Sequence, residues 1–355
     1  IYADVQAMLI GAMQSLVLGN PQSLNTDVGP VIDAGAREQL LSYIETCRAD
    51  VLYQTPVPAE GCFVPATLIE IDSLDRLERE QFGPILHIMS FARDDLDSQV
   101  DALMSKGYGL TAAIHSRNEG FIQAIGASLR VGNLYVNRNQ VGAVVGSQPF
   151  GGEGLSGTGP KAGGPRYLSA FRVSPITPAA DPLSLTASED RLLRDRIESA
   201  LSAQAGQITT DANHHEDCPG PTGELNRWSE YPRGVWLALG ASAEPLIDEA
   251  LRLNNRVVWL TETGVETLTD DRLTHILCTE ISVDWLSSLA FDGVLVATTV
   301  DCLKQIAQKL TERSGPLIPV ITHPGSVAQM TCERHVCIDT TASGGNPGLL
   351  LSAAQ

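Results

Sequence analysis

The segment Leu77-Glu78-Arg79-Glu80-Gln81-Phe82-Gly83-Pro84 sets a carboxylate two residues before an aromatic ring and a Gly-Pro pair. On extended backbone side chains alternate, so Glu80 and Phe82 point to the same side. A carboxylate there can accept from both hydroxyls of a ribose, and a ring can pack on a flat heterocycle. The same residues also read as an acidic helix end before a Gly-Pro turn. Between Val145 and Pro165 the chain is crowded with Gly, Ser and Pro, which frees the backbone for tight turns and for close approach to a ligand or another strand. His214-His215-Glu216-Asp217-Cys218 gathers metal-ligand types. Adjacent residues rarely reach one ion in tetrahedral geometry, however, and no second ligand pair has metal spacing. No metal site is expected, and the cluster reads as a solvated linker.

Seven cysteines, an odd number without a CxxC pair, suit a reducing compartment, and the cytoplasm is the expected location. Cys332 and Cys337 stand five apart, which on a strand puts them on opposite faces and excludes a disulfide between them.

The elements that must position these residues alternate between helix and strand. Helical spacing from Met8 to Val17 and over 36–49 is followed by strand patterns over 63–71 and 85–91. Then come a helix over 97–106, a strand over 110–115, a helix over 120–128 and a strand over 132–136. After a polar stretch, 176–226, with one helix over 189–204, the same grammar resumes. Apolar strands at 234–239, 256–260, 293–298 and 317–322 are separated by helices at 244–253, 283–289 and 300–313, and 335–340 is a further strand candidate. Short apolar strands between helices imply a parallel sheet covered on both faces. The expected fold class is therefore α/β: an open α/β sheet over 1–175, a linker over 176–226, and a Rossmann-like, doubly wound parallel-sheet domain over 227–355. Two domains also suit a length of 355 residues.

The first strand-to-helix turn of the second domain tests for a dinucleotide site. It reads Gly240-Ala241-Ser242-Ala243-Glu244, with one glycine and a carboxylate where phosphate charge would sit. Glu262, after the next strand, resembles a ribose-binding acid, but this domain is expected to be structural. The net charge of -18 argues against nucleic acid as a partner of this region. No apolar run approaches the ~20 residues of a membrane span. The chain opens at Ile1 without Met, a basic n-region or a cleavage site, as expected of a fragment or processed product.

Five segments occur in the order and approximate spacing of the aldehyde dehydrogenase superfamily. They are Leu18-Gly19-Asn20-Pro21 with Asp27-Val28-Gly29-Pro30, the Glu80-Gln81-Phe82-Gly83-Pro84 run, Tyr108-Gly109-Leu110-Thr111, Gly132-Asn133-Leu134-Tyr135-Val136-Asn137, and Pro149-Phe150-Gly151-Gly152-Glu153-Gly154. The first half thus resembles the C-terminal part of an NAD-dependent aldehyde dehydrogenase catalytic domain. Gly142-Ala143-Val144-Val145-Gly146-Ser147-Gln148 is similar to the aldehyde anchor loop of glutamate semialdehyde (1-pyrroline-5-carboxylate) dehydrogenases. A glycine with a small neighbour offers unobstructed N–H groups to a carboxylate. Gly220-Pro221-Thr222-Gly223-Glu224-Leu225-Asn226 and Glu333-Arg334-His335-Val336-Cys337-Ile338-Asp339 resemble the extra C-terminal domain of the longer proline utilization proteins.

That resemblance implies a parent that joins a flavin (FAD) proline dehydrogenase to an NAD-dependent L-glutamate γ-semialdehyde dehydrogenase, with upstream domains in the same polypeptide and a homo-oligomeric state. By motif match, Glu80 would hold the nicotinamide ribose and Phe82 would pack beside the cofactor. Gly142 and Ala143 would bind the substrate carboxylate, and Phe150 would line the aldehyde pocket. The glycines read alternatively as a hairpin turn, and Phe150 as core. The second domain would act as a non-catalytic lid, and the tail 340–355, with its Gly344-Gly345-Asn346 turn, would pack on the dehydrogenase. Aldehyde oxidation needs a thiolate nucleophile and a carboxylate base. The family's Gly-Gln-x-Cys motif lies farther upstream of Glu80 than Ile1, and neither Cys47 nor Cys62 has that context. No catalytic residue is expected in this chain, and it is expected to be inactive alone. The competing expectation is a stand-alone, non-catalytic interaction module.

Overall fold

The computed structural model of the chain describes residues 1–140, 142–171, 182–186, 190–209, 211–262 and 268–341. Contacts divide the chain into two units, Ile1–Lys106 and Gly107–Gln355.

In the first unit, α1 (Tyr2–Gln14) and α2 (Ala34–Thr46) precede β1 (Val51–Gln54), β2 (Thr67–Glu70), β3 (Ile85–Ile88) and α3 (Leu96–Ser105). Helix α2 starts where the side chain of Asp33 accepts from the Ala36 N–H at 2.7 Å, satisfying a donor that has no partner within the helix. The strands form one sheet in the order β1-β2-β3, with β1/β2 antiparallel and β2/β3 parallel. Both faces of β2 are covered. Leu68 packs with Met13 of α1, and Ile69 packs with Cys47, which caps α2. The strand expected over 63–71 is shorter, because pairing with β3 begins at Thr67, just after Pro65. Strand β1 was not anticipated.

The second unit runs through β4 (Tyr108–Gly109), β5 (Thr111–Ile114), α4 (Glu119–Ser128), β6 (Asn133–Val136), β7 (Glu153–Gly154), β8 (Leu185–Thr186) and α5 (Arg191–Ala205). It continues with β9 (His214–Cys218), β10 (Glu224–Pro232), β11 (Val235–Leu239), α6 (Glu244–Arg252), β12 (Arg256–Thr261), β13 (Leu273–Leu277) and β14 (Ile281–Ser282). Then follow β15 (Gly293–Val296), α7 (Val300–Leu310), β16 (Val320–Ile321), α8 (Val327–Met330) and β17 (Thr331–Asp339).

Two five-stranded sheets organise this unit. One has the order β13-β12-β11-β15-β16 and is parallel throughout. Along β11 the side chains alternate between two apolar layers. Val235, Leu237 and Leu239 meet Ile197 and Leu201 of α5 and Ile306 of α7, while Trp236 and Ala238 meet Leu246 and Ile247 of α6. That double burial is why the strand reads as an unbroken apolar run. Gly293 is obligatory here: a Cβ would lie 2.1 Å from the Trp236 ring. The helix expected over 283–289 is a 3₁₀ turn, Val283–Ser287.

The other sheet has the order β5-β6-β17-β10-β9. Strand β17 is parallel to β6 and antiparallel to β10, with a register from Glu224↔Asp339 to Pro232↔Thr331. The strand expected at 335–340 therefore begins at Thr331. Both Cys332 and Cys337 lie on it as free thiols, Cys337 buried.

The stretch 176–226 holds α5 as expected, and also β8, β9 and the start of β10. His214–Cys218 is thus not a solvated linker. It pairs with β10 as an edge strand, fixed by Asp217 accepting from Arg227 at 2.7 and 3.2 Å. A run of exposed polar and charged side chains suits an edge strand, whose open side must resist further pairing. Of the tail, Thr340 donates its N–H to the Gly223 carbonyl at 2.9 Å. The turn at Gly344-Gly345-Asn346 lies outside the described residues.

Candidate functional site

In the first unit, residues 77–84 form an irregular loop between a 3₁₀ turn, Leu74–Arg76, and β3. Its far end is pinned. The Pro84 carbonyl accepts from Thr67 N–H at 2.9 Å, and Gly83 lies so close to Leu40 that a Cβ would come within 2.5 Å of that side chain. Pinning at 83–84 delivers Glu80 and Phe82 to the surface, the Phe82 ring 89% exposed. A helix end at Glu80 does not form. An accessible carboxylate can accept from ribose hydroxyls, and an accessible ring two residues away can pack on a flat heterocycle. Cys47 is buried at the end of α2 against Ile69 and Ile71, and Cys62 lies in a loop whose carbonyl accepts from Val31 N–H.

In the second unit, the loop 142–150 rises from the end of β6. Gly142 has φ +76° and Gly146 φ +84°, left-handed backbone with open space where a side chain would stand. Among the described residues, the N–H groups of Gly142 and Ala143 donate to no acceptor, so both amides are available to an anion. The turn closes beyond them. Gln148 N–H donates to the Val144 carbonyl at 2.9 Å, and the Gln148 Oε1 accepts from Val144 N–H at 3.3 Å. Phe150 is half-buried and bridged in both directions to Ala162, at 3.1 and 2.8 Å.

Beneath this loop lies a buried polar network that the sequence did not disclose. Gln148, 2% exposed, donates through Nε2 to Glu224 Oε1 at 3.1 Å and to Cys337 Sγ at 3.4 Å. Glu224 is ion-paired with Arg138, which also donates to Cys337 Sγ at 2.8 Å, and Asn226 Nδ2 donates to Glu224 at 2.8 Å. Burial pushes the Cys337 thiol up to about 11, so it serves as a neutral, inert member of the network. Glu224 and Cys337 stand within the motifs quoted above. Their meeting with Gln148 bridges 76 and 189 residues, which no local pattern reveals.

The parallel sheet gives a contrasting result at its own crevice. Gly240, just past β11, has φ +78°, and a Cβ on it would lie 2.5 Å from Leu183. Leu183 also packs into the apolar core, and β8 follows it to pair with β14. The place where a pyrophosphate would approach the helix N-terminus is filled by the chain's own leucine, so the residues present do not fit a dinucleotide there. Among the described residues no cluster of three His, Cys, Asp or Glu could hold a metal ion, and no helix is long and apolar enough to cross a membrane.

The aldehyde dehydrogenase family model matches residues 1–174. The bifunctional protein PutA of Klebsiella aerogenes is 35% identical over 380 residues, covering 95% of this chain and 29% of that protein. The 1-pyrroline-5-carboxylate dehydrogenase 2 of Bacillus subtilis is 37% identical over 174 residues, covering 48% of this chain and 33% of the relative. The chain therefore spans less than a third of the length of the PutA relatives it matches. The solved structure of PutA from Corynebacterium freiburgense aligns with 94% of this chain and 34% of its own, with a TM-score of 0.61 at 20% identity, which shows a shared α/β fold. Over residues 1–174, this chain is therefore similar to the aldehyde dehydrogenase family.

Proposed function

We propose that the chain is the C-terminal part of a bifunctional proline-catabolic enzyme, and that it serves the step in which L-glutamate γ-semialdehyde is oxidised to glutamate with NAD. The observation that carries this reading is the loop 142–150. Two successive unpaired amides, the first on a left-handed glycine, suit a carboxylate, which an aldehyde acid has and a simple alkyl aldehyde lacks.

Gly142 and Ala143 hold the substrate carboxylate by their N–H groups, and Phe150 lines the aldehyde pocket. Glu80 accepts from the nicotinamide ribose hydroxyls, and Phe82 packs beside the cofactor. When bound, NAD supplies the hydride acceptor. The nucleophile and the base come from residues outside this chain, since Cys47 is buried in a core and Cys62 lies in an unrelated loop. FAD belongs to the proline dehydrogenase part of the parent. Residues 227–355 form a non-catalytic lid domain, and the parent is a cytoplasmic homo-oligomer.

The full-length gene product should form NADH from glutamate semialdehyde, while the 355-residue chain alone forms none. NADH formation by the isolated chain would overturn its assigned lack of a nucleophile. Failure of the full-length protein on this substrate would remove the functional reading itself.

A further inference from the structure

Lys161 lies under the substrate loop, 2% exposed, on a segment where an apolar side chain would be easier to bury. Among the described residues, its Nζ donates to Asn133 Oδ1 at 2.7 Å and to the Gly151 carbonyl at 2.6 Å. Asn133, fully buried on β6, passes the restraint on. Its Nδ2 donates to the Pro149 carbonyl at 3.0 Å, and its Oδ1 also accepts from Gly151 N–H at 3.3 Å. Lys161 thereby holds the backbone on both sides of Phe150, through Asn133 at Pro149 and directly at Gly151. Its own backbone is fixed by donation to Glu333 Oε2 at 2.7 Å, and its neighbour Ala162 bridges Phe150.

The loop needs such a hold. Gly142, Val144, Val145 and Gly146 are exposed, so the loop takes its shape from its two anchored ends, at Arg138 and at Gln148 to Gly151. Carboxylate affinity depends on amides held within a few tenths of an ångström, whereas an aldehyde without a carboxylate makes no use of them.

Resting on the function proposed above, we infer that Lys161 is a positioning residue, which sets the affinity of the Gly142–Ala143 amides for the substrate carboxylate through Asn133 and Gly151. It touches neither substrate nor cofactor.

The test is Lys161→Met in the full-length gene product, with glutamate semialdehyde and propanal as parallel substrates. The KM for glutamate semialdehyde should rise about ten-fold, while kcat and the KM for NAD stay within about two-fold and kcat/KM for propanal, which feels only the shift of Phe150, falls by no more than about three-fold. Asn133→Asp is the second variant. It keeps an acceptor for Lys161 but loses the donor to Pro149, and it should raise the same KM selectively even if Lys161→Met does not fold. Equal losses on both aldehydes, or unchanged constants in Asn133→Asp, would overturn the inference. A wild-type protein that does not prefer glutamate semialdehyde over propanal would instead overturn the functional reading beneath it.

Discussion

The two five-stranded sheets of the second unit bury opposite kinds of chemistry. The parallel sheet encloses Trp236, Trp259, Leu237 and Val294 between helices, and its nucleotide crevice is closed by Leu183. The mixed sheet, with the loop that rests on it, contains the buried Lys161, Glu230 and His335. Buried charge costs stability unless each hydrogen finds an acceptor, so its concentration in one sheet needs a reason. Lys161 holds Gly151 at the end of the loop 142–150 and Glu230 pairs with Arg166, whereas the parallel sheet is mainly apolar, with a few polar contacts such as Thr261 to His275 and Val235 N–H donating to the Asp292 carboxylate. One sheet is a scaffold, and the other is the support of a site.

Substitutions can break that contrast, and the largest effect belongs to the scaffold. Trp236→Ala should lower the stability of the parallel sheet by ~3–5 kcal/mol, through lost burial and a cavity facing Gly293. Amide hydrogen exchange along β11 and β12 measures it, and a loss below ~1 kcal/mol would show that the sheet tolerates voids.

Next comes Glu224→Ala, which strands both Arg138 and Gln148 under the substrate loop and should cost ~2–4 kcal/mol in the mixed sheet. Exchange along β6 and β10 should speed up while β11 stays protected; equal loosening of both sheets would erase the distinction.

A pH series sharpens the comparison further. Burial lowers Lys161 to about 7 from 10.5, and lowers His335 to about 4 from 6.5. Each group binds fewer protons folded than unfolded within its own window, so stability of the mixed sheet should rise with pH from about 4 to 6.5 and again from about 7 to 9, above which the Cys332 and Cys337 thiols, raised to about 11, act against Lys161. Glu333, raised by burial, acts in the opposite sense just above its ordinary range. Denaturation at neutral and alkaline pH should therefore show a gain in wild type that Lys161→Met lacks; the same gain in that variant would assign the effect to another group.

The smallest effect is expected at the edge strand. Asp217→Asn, removing the exposed partner of Arg227, should change stability by ~0.5 kcal/mol or less. A larger loss in thermal denaturation would mean that the edge contributes more than surface electrostatics.

The same contrast explains how far the sequence could be read. The parallel sheet was legible because each strand is a local apolar run: 235–239 and 256–261 announce themselves within a few residues. The loop 142–150 stood out through its glycines and the motifs around it. In the mixed sheet β5, β6 and the end of β17 were legible too, but β9 and β10 were not, because alternation along them is masked by polar residues that are satisfied only by distant partners. His214–Cys218 has no apolar face at all, and its strand character comes entirely from β10. Glu224, Gln148, Lys161 and Asn133 look like ordinary surface residue types until long-range pairing buries them. The exposure of Glu80 and Phe82 likewise depends on Gly83 meeting Leu40, a contact between segments some forty residues apart.

The place of β17 between β6 and β10 has a consequence for biosynthesis. While the ribosome is still making the residues before Thr331, β6 and β10 each present an open edge. Neither can close on the other, because the strand that separates them does not yet exist. The polar network beneath the loop 142–150, Cys337 included, is therefore completed only when β17 is inserted, and a chain cut short before it would hold the parallel sheet with that network unfinished. Late insertion of a central strand makes assembly of the site a check on the integrity of the chain, and leaves the nascent protein dependent on whatever shields two unpaired edges in the interval.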